Sequence, residues 1–225
     1  MWIKNIEDYI LYEDKAILVC RKPAGIAVQN AKVGSMDLES LLKNYIAQKN
    51  PGQIPYVGVI HRLDQPVEGI LVFALDKKAA AGLNRQMTGG QIAKTYLAAV
   101  SGKCKVKQGT LEDWMKKDSK TNTSAVVSQG TQGAKKARLS YEVLEEQEER
   151  SLVKIHLETG RHHQIRVQMS HAGMPLLGDR KYNPEEKFDG QLALCSAELA
   201  FQHPVTGKKM KFSIKPEGKG FEIFL

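Results

Sequence analysis

The chain has 225 residues, enough for one large domain with a sizeable core, and its 42% hydrophobic content is too high for a disordered chain. Its 33 Lys and Arg outnumber 25 Asp and Glu, giving a net charge of +8. No apolar run approaches the roughly 20 residues that span a bilayer. The segment Met1–Asp8 also has acidic residues where a secretory signal has its apolar stretch, so a soluble, cytoplasmic protein is expected.

Ala16 to Cys20 reads as a short apolar strand closed by Lys22-Pro23-Ala24-Gly25, where Pro and Gly enforce a turn. Leu38, Leu41, Leu42 and Tyr45 recur at spacings of three and four, which predicts an amphipathic helix with Asp37 near its start. Tyr56–Ile60 and Gly69–Ala74 read as strands on either side of His61-Arg62-Leu63-Asp64. Lys77–Met87 reads as an Ala-rich helix stopped by Gly89-Gly90, and Lys94–Val100 as a strand.

Between Lys103 and Arg138 the basic residues are Lys103, Lys105, Lys107, Lys116, Lys117, Lys120, Lys135, Lys136 and Arg138, against Glu112, Asp113 and Asp118. The stretch is rich in Gly, Ser, Thr and Gln, so it reads as loops around short strands. Such a basic flap suits a polyanion, because neutralising phosphates releases condensed counterions. The rival reading is a solvated surface segment kept soluble by its lysines.

Leu139–Leu144 and Leu152–Leu157 read as antiparallel strands joined by the charged turn Glu145–Arg150. Gln164–Ala172 reads as a helix with Ile165 and Met169 on one face and Gly173 as its stop. The last pattern is a hairpin, with Glu198–Gln202, a turn at His203–Gly207, and alternating Met210, Phe212 and Ile214. Strands outnumber helices and run in hairpins, which predicts an α+β fold on a mixed, largely antiparallel sheet. One domain over residues 1–225 is expected, with no repeat or appended module. Cys20, Cys104 and Cys195 are widely spaced and lack a Cys-x-x-Cys pair, so they read as reduced, partly buried thiols.

Two stretches carry chemistry. His61-Arg62-Leu63-Asp64 lies on a turn between apolar strands, where a rigid scaffold holds loop side chains. That pattern fits either a reactive carboxylate or a structural ion pair. Glu158-Thr159-Gly160-Arg161-His162-His163-Gln164-Ile165-Arg166 follows a strand and opens a helix, a place that favours anions.

Together these stretches closely resemble the signatures of the RluA-type pseudouridine synthases. Lys94-Thr95-Tyr96-Leu97-Ala98 is similar to that family's Lys-x-Tyr segment. Arg21-Lys22-Pro23-Ala24-Gly25 and His203-Pro204-Val205-Thr206-Gly207 resemble its flanking elements, in the same chain order. There are departures: Val67-Glu68-Gly69 stands where Thr-Ser-Gly is usual, His162 where a Thr is common, and Gln168 near where a His is common. Glu68 adds a negative charge close to Asp64.

The resemblance implies a stand-alone pseudouridine synthase fold with a catalytic cleft across its sheet, acting on ribosomal or transfer RNA with no cofactor or metal; no membrane is expected, and a monomer is the default where the sequence is silent. It assigns the catalytic roles to Asp64, Tyr96 and Arg161, with Arg161 as the cation that holds the Asp64 carboxylate. It offers Arg62, His61, Lys94, Arg166 and Lys22 as RNA contacts. In the implied reaction the N1–C1′ bond breaks, the uracil turns, and C5 bonds to C1′. Asp64 can attack the sugar or take a proton while stabilising charge at C1′, and the sequence leaves both open. A stacked uracil must flip out to reach it, which costs a few kcal/mol. Tyr96 can stack on the flipped base, and Arg62 can fill the vacancy.

Rival readings fit less well. His61, His162, His163, His171 and Asp64 show no metal-ligand spacing. A glycosidase built on Asp64 and Glu68 calls for an acidic, aromatic-rich cleft, whereas this basic chain is 7% aromatic. A non-catalytic RNA-binding or RNA-remodelling protein predicts loss of Asp64, Tyr96 or Arg161, and all three are present.

Overall fold

The computed structural model describes residues 3–30 and 36–224; Met1 and Trp2 of the N-terminal segment read above lie outside them. In chain order the strands are β1 (Ile10–Glu13), β2 (Ile17–Lys22), β3 (Gly58–Val59), β4 (Glu68–Ala74), β5 (Ala93–Ser101), β6 (Gln108–Asp118), β7 (Thr123–Val127), β8 (Lys135–Gln147), β9 (Arg150–Leu157), β10 (Leu194–Gln202) and β11 (Lys209–Ser213). The helices are α1 (Leu38–Lys49), α2 (Lys77–Thr88) and α3 (Gln164–His171). By contact the chain divides into two compact units. One is the chain up to Ala93 with Ser196–Ile214, the other Lys94–Cys195 with the chain from Lys215.

In the first unit the strand order is β1-β2-β4-β10, with β3 also on β4 and β11 also on β10. All seven residues of β4 are buried, so its apolar run is covered on both faces. Asp37 starts α1 by accepting from Ser40 N–H at 2.8 Å, and Asp76 starts α2 by accepting from Ala79 N–H at 2.7 Å. Ala79, Ala80 and Leu83 of α2 pack with Ile17, Val19, Ile70, Val72, Leu199 and Phe201. Truncating a fully buried side chain such as Leu83 to Ala costs about 2–5 kcal/mol. Gly69 has φ +139, and a Cβ there lies 2.5 Å from the Ser196 backbone, so only glycine lets β4 approach Ser196.

In the second unit the order is β5-β9-β8-β6-β7. Ala98, Val100, Val153 and Ile155 of β5 and β9 are fully buried. Every strand pair with a described register in either unit is antiparallel, which is the expected α+β class.

Two expectations need correction. The strand read over Tyr56–Ile60 forms a ladder only at Gly58 and Val59, opposite Ala74 and Phe73. Beyond Val59 the His61 ring supplies the acceptor, its Nε2 taking the Val72 N–H at 3.4 Å. The basic stretch Lys103–Arg138 is not mainly loop. It is dominated by the long strand β6, by β7 and by the start of β8, with β6 paired antiparallel between β7 and β8.

Candidate active site

The Asp64 turn is built by the first unit alone. Val67 N–H donates to the Asp64 carbonyl at 3.0 Å, closing a turn over Gln65 and Pro66. That turn is bound to the Lys22–Gly25 turn at the end of β2. Gly25 N–H donates to the Gln65 carbonyl at 2.8 Å, and Gln65 Nε2 donates to the Gly25 carbonyl at 3.0 Å. Lys22 Nζ donates to the carbonyls of Pro23 (3.0 Å), Ile26 (2.8 Å) and Gln65 (3.0 Å). Three acceptors match the three N–H bonds of an ammonium.

Lys22 is 0% exposed, and burial pushes it down to about 7, while the Asp64 and Glu68 carboxylates pull it back up. Lys22 was expected to touch RNA phosphate. Its full burial and its three carbonyl partners make it a positioning residue for the Asp64 turn instead.

Asp64 itself is half-buried, Leu63 is buried behind it and Arg62 is exposed. His61 is half-buried, with one ring nitrogen on the β4 backbone. Glu68, at the start of β4, is 6% exposed and meets Arg21 of β2 at 3.4 Å. The extra carboxylate beside Asp64 thus has a guanidinium against it.

The second unit carries the other assigned residues. Tyr96 is 6% exposed on β5, opposite Ile155 of β9. Lys94, two residues earlier, is half-buried, and burial lowers its ammonium below the ordinary lysine value. A Cβ at Gly160 would lie 3.7 Å from Lys94 Nζ, an ordinary contact distance, so the Lys94 head group lies close to the Gly160 backbone.

Arg161 is exposed; its Nε donates to the Lys136 carbonyl at 2.8 Å. Its N–H donates to Gln164 Oε1 at 2.9 Å, and Thr159 Oγ1 donates to the same oxygen at 2.8 Å. Gln164 Nε2 donates onward to the Arg138 carbonyl and to Gln168 Oε1, and Gln168 Nε2 reaches Asp113 at 2.6 Å. Gln164 is therefore the hub that shapes the Thr159–His163 segment. Sequence reasoning had it only within the Gln-Ile-Arg run, without a role.

His163 opens α3 from the left-handed region, φ +54, a strained backbone for a non-glycine residue. Its Nδ1 meets the Tyr182 hydroxyl at 2.7 Å and its ring stacks on His162 at 3.8 Å. Arg166 was expected at RNA phosphate. It is 5% exposed, and its Nε and Nη2 donate to the two Asp179 oxygens at 2.8 and 2.7 Å, with Tyr182 under its guanidinium. The expectation fails because a partner thirteen residues away draws the side chain inward.

Among the described residues, no three His, Cys, Asp or Glu are grouped to hold a metal ion. No described helix is long and apolar enough to cross a membrane. All three cysteines are buried thiols.

The family model described as RNA pseudouridylate synthase matches residues 16–171, which include the Asp64 turn, Tyr96 and the Arg161 segment. The chain belongs to the RNA pseudouridylate synthase family. That is a family of isomerases. The chain is 35% identical over 208 residues to the Bacillus subtilis RNA pseudouridine synthase YlyB, covering 90% of this chain and 67% of that protein. It is 36% identical over 217 residues to the ribosomal large subunit pseudouridine synthase D of Zymomonas mobilis, with 90% and 67% covered. The chain thus spans about two thirds of the length of these curated relatives.

The pseudouridylate synthase fold is equally clear. The solved structure of human RNA pseudouridylate synthase domain containing 4 matches with a TM-score of 0.79 at 22% identity, covering 94% of this chain and 90% of that one. Human RNA pseudouridylate synthase domain containing 1 matches at 0.74 and 24%, covering 96% and 86%. The flanking motif His203–Gly207 has a structural task in this family member. Val205 and Thr206 N–H groups donate to His203 Nδ1, and His203 Nε2 donates to Asp14 at 2.8 Å, latching the β10–β11 turn to the start of β2.

Proposed function

We propose that this chain converts specific uridines of RNA to pseudouridine, with Asp64 as the catalytic carboxylate acting on a flipped-out base. The observation that carries this reading is the Asp64 turn, held by Lys22, Gly25 and Gln65 within a chain of this family. Such a turn fixes a half-buried carboxylate on a rigid base, the requirement for reaction at C1′. The isomerisation balances within the substrate and solvent: N1–C1′ breaks, C5–C1′ forms, C5 gives up its proton and N1 gains one.

Asp64, Tyr96 and Arg161 are its catalytic residues in the roles the resemblance assigns. Tyr96 supplies an aromatic face, worth about 1–3 kcal/mol when a base stacks on it. Arg62, His61 and Lys94 contact the RNA, His61 from its seat on the β4 backbone. Residues 1–225 serve as one catalytic domain.

Large-subunit ribosomal RNA is the substrate we favour over transfer RNA, because relatives at 31–36% identity are named for it. The work is done in the cytoplasm. The test is direct: purified protein incubated with in vitro transcribed large-subunit ribosomal RNA forms pseudouridine, and Asp64→Ala forms none while still binding. RNA binding with no product from the wild type would turn the reading into that of an RNA-binding protein.

A further inference from the structure

The nine cations of the Lys103–Arg138 stretch are not equivalent once folded. Lys107 pairs with Glu146, Lys136 with Glu112, and Arg138 with Glu112 and Glu158. Those charges are largely answered within the protein. Lys116, Lys117 and Lys120 are exposed at the far end of the β6–β7 hairpin.

The register shows why that end stands apart. β6 pairs with β8 only from Gln108 to Met115, whereas its pairing with β7 continues to Asp118 opposite Thr123. Beyond Met115, β6 pairs with β7 alone in the described registers, as a two-stranded ribbon. Successive strand residues point to opposite faces, so Lys116 and Lys117 give each face of the ribbon a cation, and Lys120 caps the turn. Lys181 adds another charge there, its Nζ donating to the Asn122 carbonyl at 2.8 Å. Asp118 is the acid at this end; its carboxylate accepts the Lys120 N–H at 2.8 Å within the turn. A shallow depression of about 400 Å³ lies along the ribbon, lined by Lys116, Lys117, Asp118, Ser119, Ala125 and Val127.

The ribbon is fixed both near its turn, at Ser124 opposite Lys117, and at its root, at Met115 opposite Val126. Ser124 N–H donates to the Tyr182 hydroxyl at 2.8 Å, and Ser124 Oγ meets His162 Nδ1 at 2.9 Å. Met115 is packed with Ala137 and Val167, and Val126 and Tyr182 close over them. The ribbon is thereby tied to the residue that follows Arg161, so a polyanion seated on it is held at a set place in the unit that carries Arg161 and Tyr96. Preordered cations bind with less loss of side-chain and loop freedom than a mobile tail.

We propose that the β6–β7 ribbon is an RNA phosphate-docking arm, in which Lys116, Lys117 and Lys120 grip the sugar–phosphate backbone of the substrate RNA away from the reacting uridine. This rests on the proposed function for the identity of the polyanion. Backbone contacts of this kind set affinity and register without reading sequence.

The test compares wild type with Lys116→Ala/Lys117→Ala/Lys120→Ala and with a charge-matched control, Lys77→Ala/Lys78→Ala/Lys208→Ala. Binding of in vitro transcribed large-subunit ribosomal RNA is measured across potassium chloride concentrations, alongside pseudouridine kinetics and thermal midpoints. The arm variant is expected to bind about tenfold or more weakly, with the loss in KM. Its log–log salt slope should be shallower by about 2, as the loss of three backbone contacts predicts. The control should keep the wild-type slope.

Equal behaviour of arm and control variants, or an unchanged slope in the arm variant, overturns the proposal. Wild-type protein that binds RNA through these lysines yet forms no pseudouridine would refute the proposed function and leave the arm standing.

Discussion

Lys22 Nζ donates to the Gln65 carbonyl at 3.0 Å, so a fully buried ammonium on β2 holds the residue next to Asp64. Replacing it with Met keeps much of the apolar stem but leaves the carbonyls of Pro23, Ile26 and Gln65 without their donor. Lys22→Met is expected to cost about 2–4 kcal/mol of stability and to lower kcat more than it raises KM. Denaturant melts and steady-state kinetics check both. A stable variant with full kcat and weak RNA binding would restore Lys22 as a phosphate contact.

The same residue gives a pH signature. The unfolded chain holds the Lys22 proton up to its ordinary value of 10.5, whereas burial lets the folded chain hold it only to about 7. Between those values the unfolded state binds more protons, so this group makes stability rise with pH, and its full penalty is present below about 7. Unfolding free energy of wild type minus that of Lys22→Met should therefore climb as pH is raised from about 7 toward 10.5. A difference that stays flat or falls over that window contradicts the assignment.

Arg21 and Glu68 predict a coupled response. Their side chains are 18% and 7% exposed, so removing either leaves the other largely buried and short of its counter-charge. Arg21→Ala and Glu68→Ala should each destabilise the protein, and the double variant should lose less than the sum of the two. A coupling of about 1 kcal/mol or more is expected from the double-mutant cycle. Additive losses would mean that the pair acts as two independent side chains.

Arg166 separates structure from binding. Its two-point contact with Asp179, which is 1% exposed, predicts that Arg166→Ala destabilises by about 3–5 kcal/mol. Lys cannot reproduce the fork, so Arg166→Lys should recover little. Thermal melts and RNA affinity measured well below the melting range check this. Normal stability with weakened RNA binding would reverse the assignment.

Local pattern carried much of this molecule. The Asp37 cap, the apolar runs of β2 and β4 and the Gly89-Gly90 stop are short-range features, and the structure places them where periodicity does. The strands β6–β8 were harder to read because polar groups break their alternation. Asp113 turns toward the interior and is satisfied there by Gln168, which is remote in sequence, and Gly109 has no side chain to mark a face. Lys22 and Arg166 were misread for the same reason. A basic residue in a motif looks like a phosphate ligand until its partners are placed, and those partners are three carbonyls in one case and Asp179 in the other. The sequence shows Glu68 only as an added negative charge close to Asp64; Arg21, on the neighbouring strand β2, answers that charge.

The most direct test of the central claim is pseudouridine mapping of total cellular RNA from a strain lacking this protein, complemented with wild type or with Asp64→Ala. One or more uridines, expected in large-subunit ribosomal RNA, should lose the modification on deletion and regain it only with wild type. Restoration of the same sites by Asp64→Ala would contradict the account.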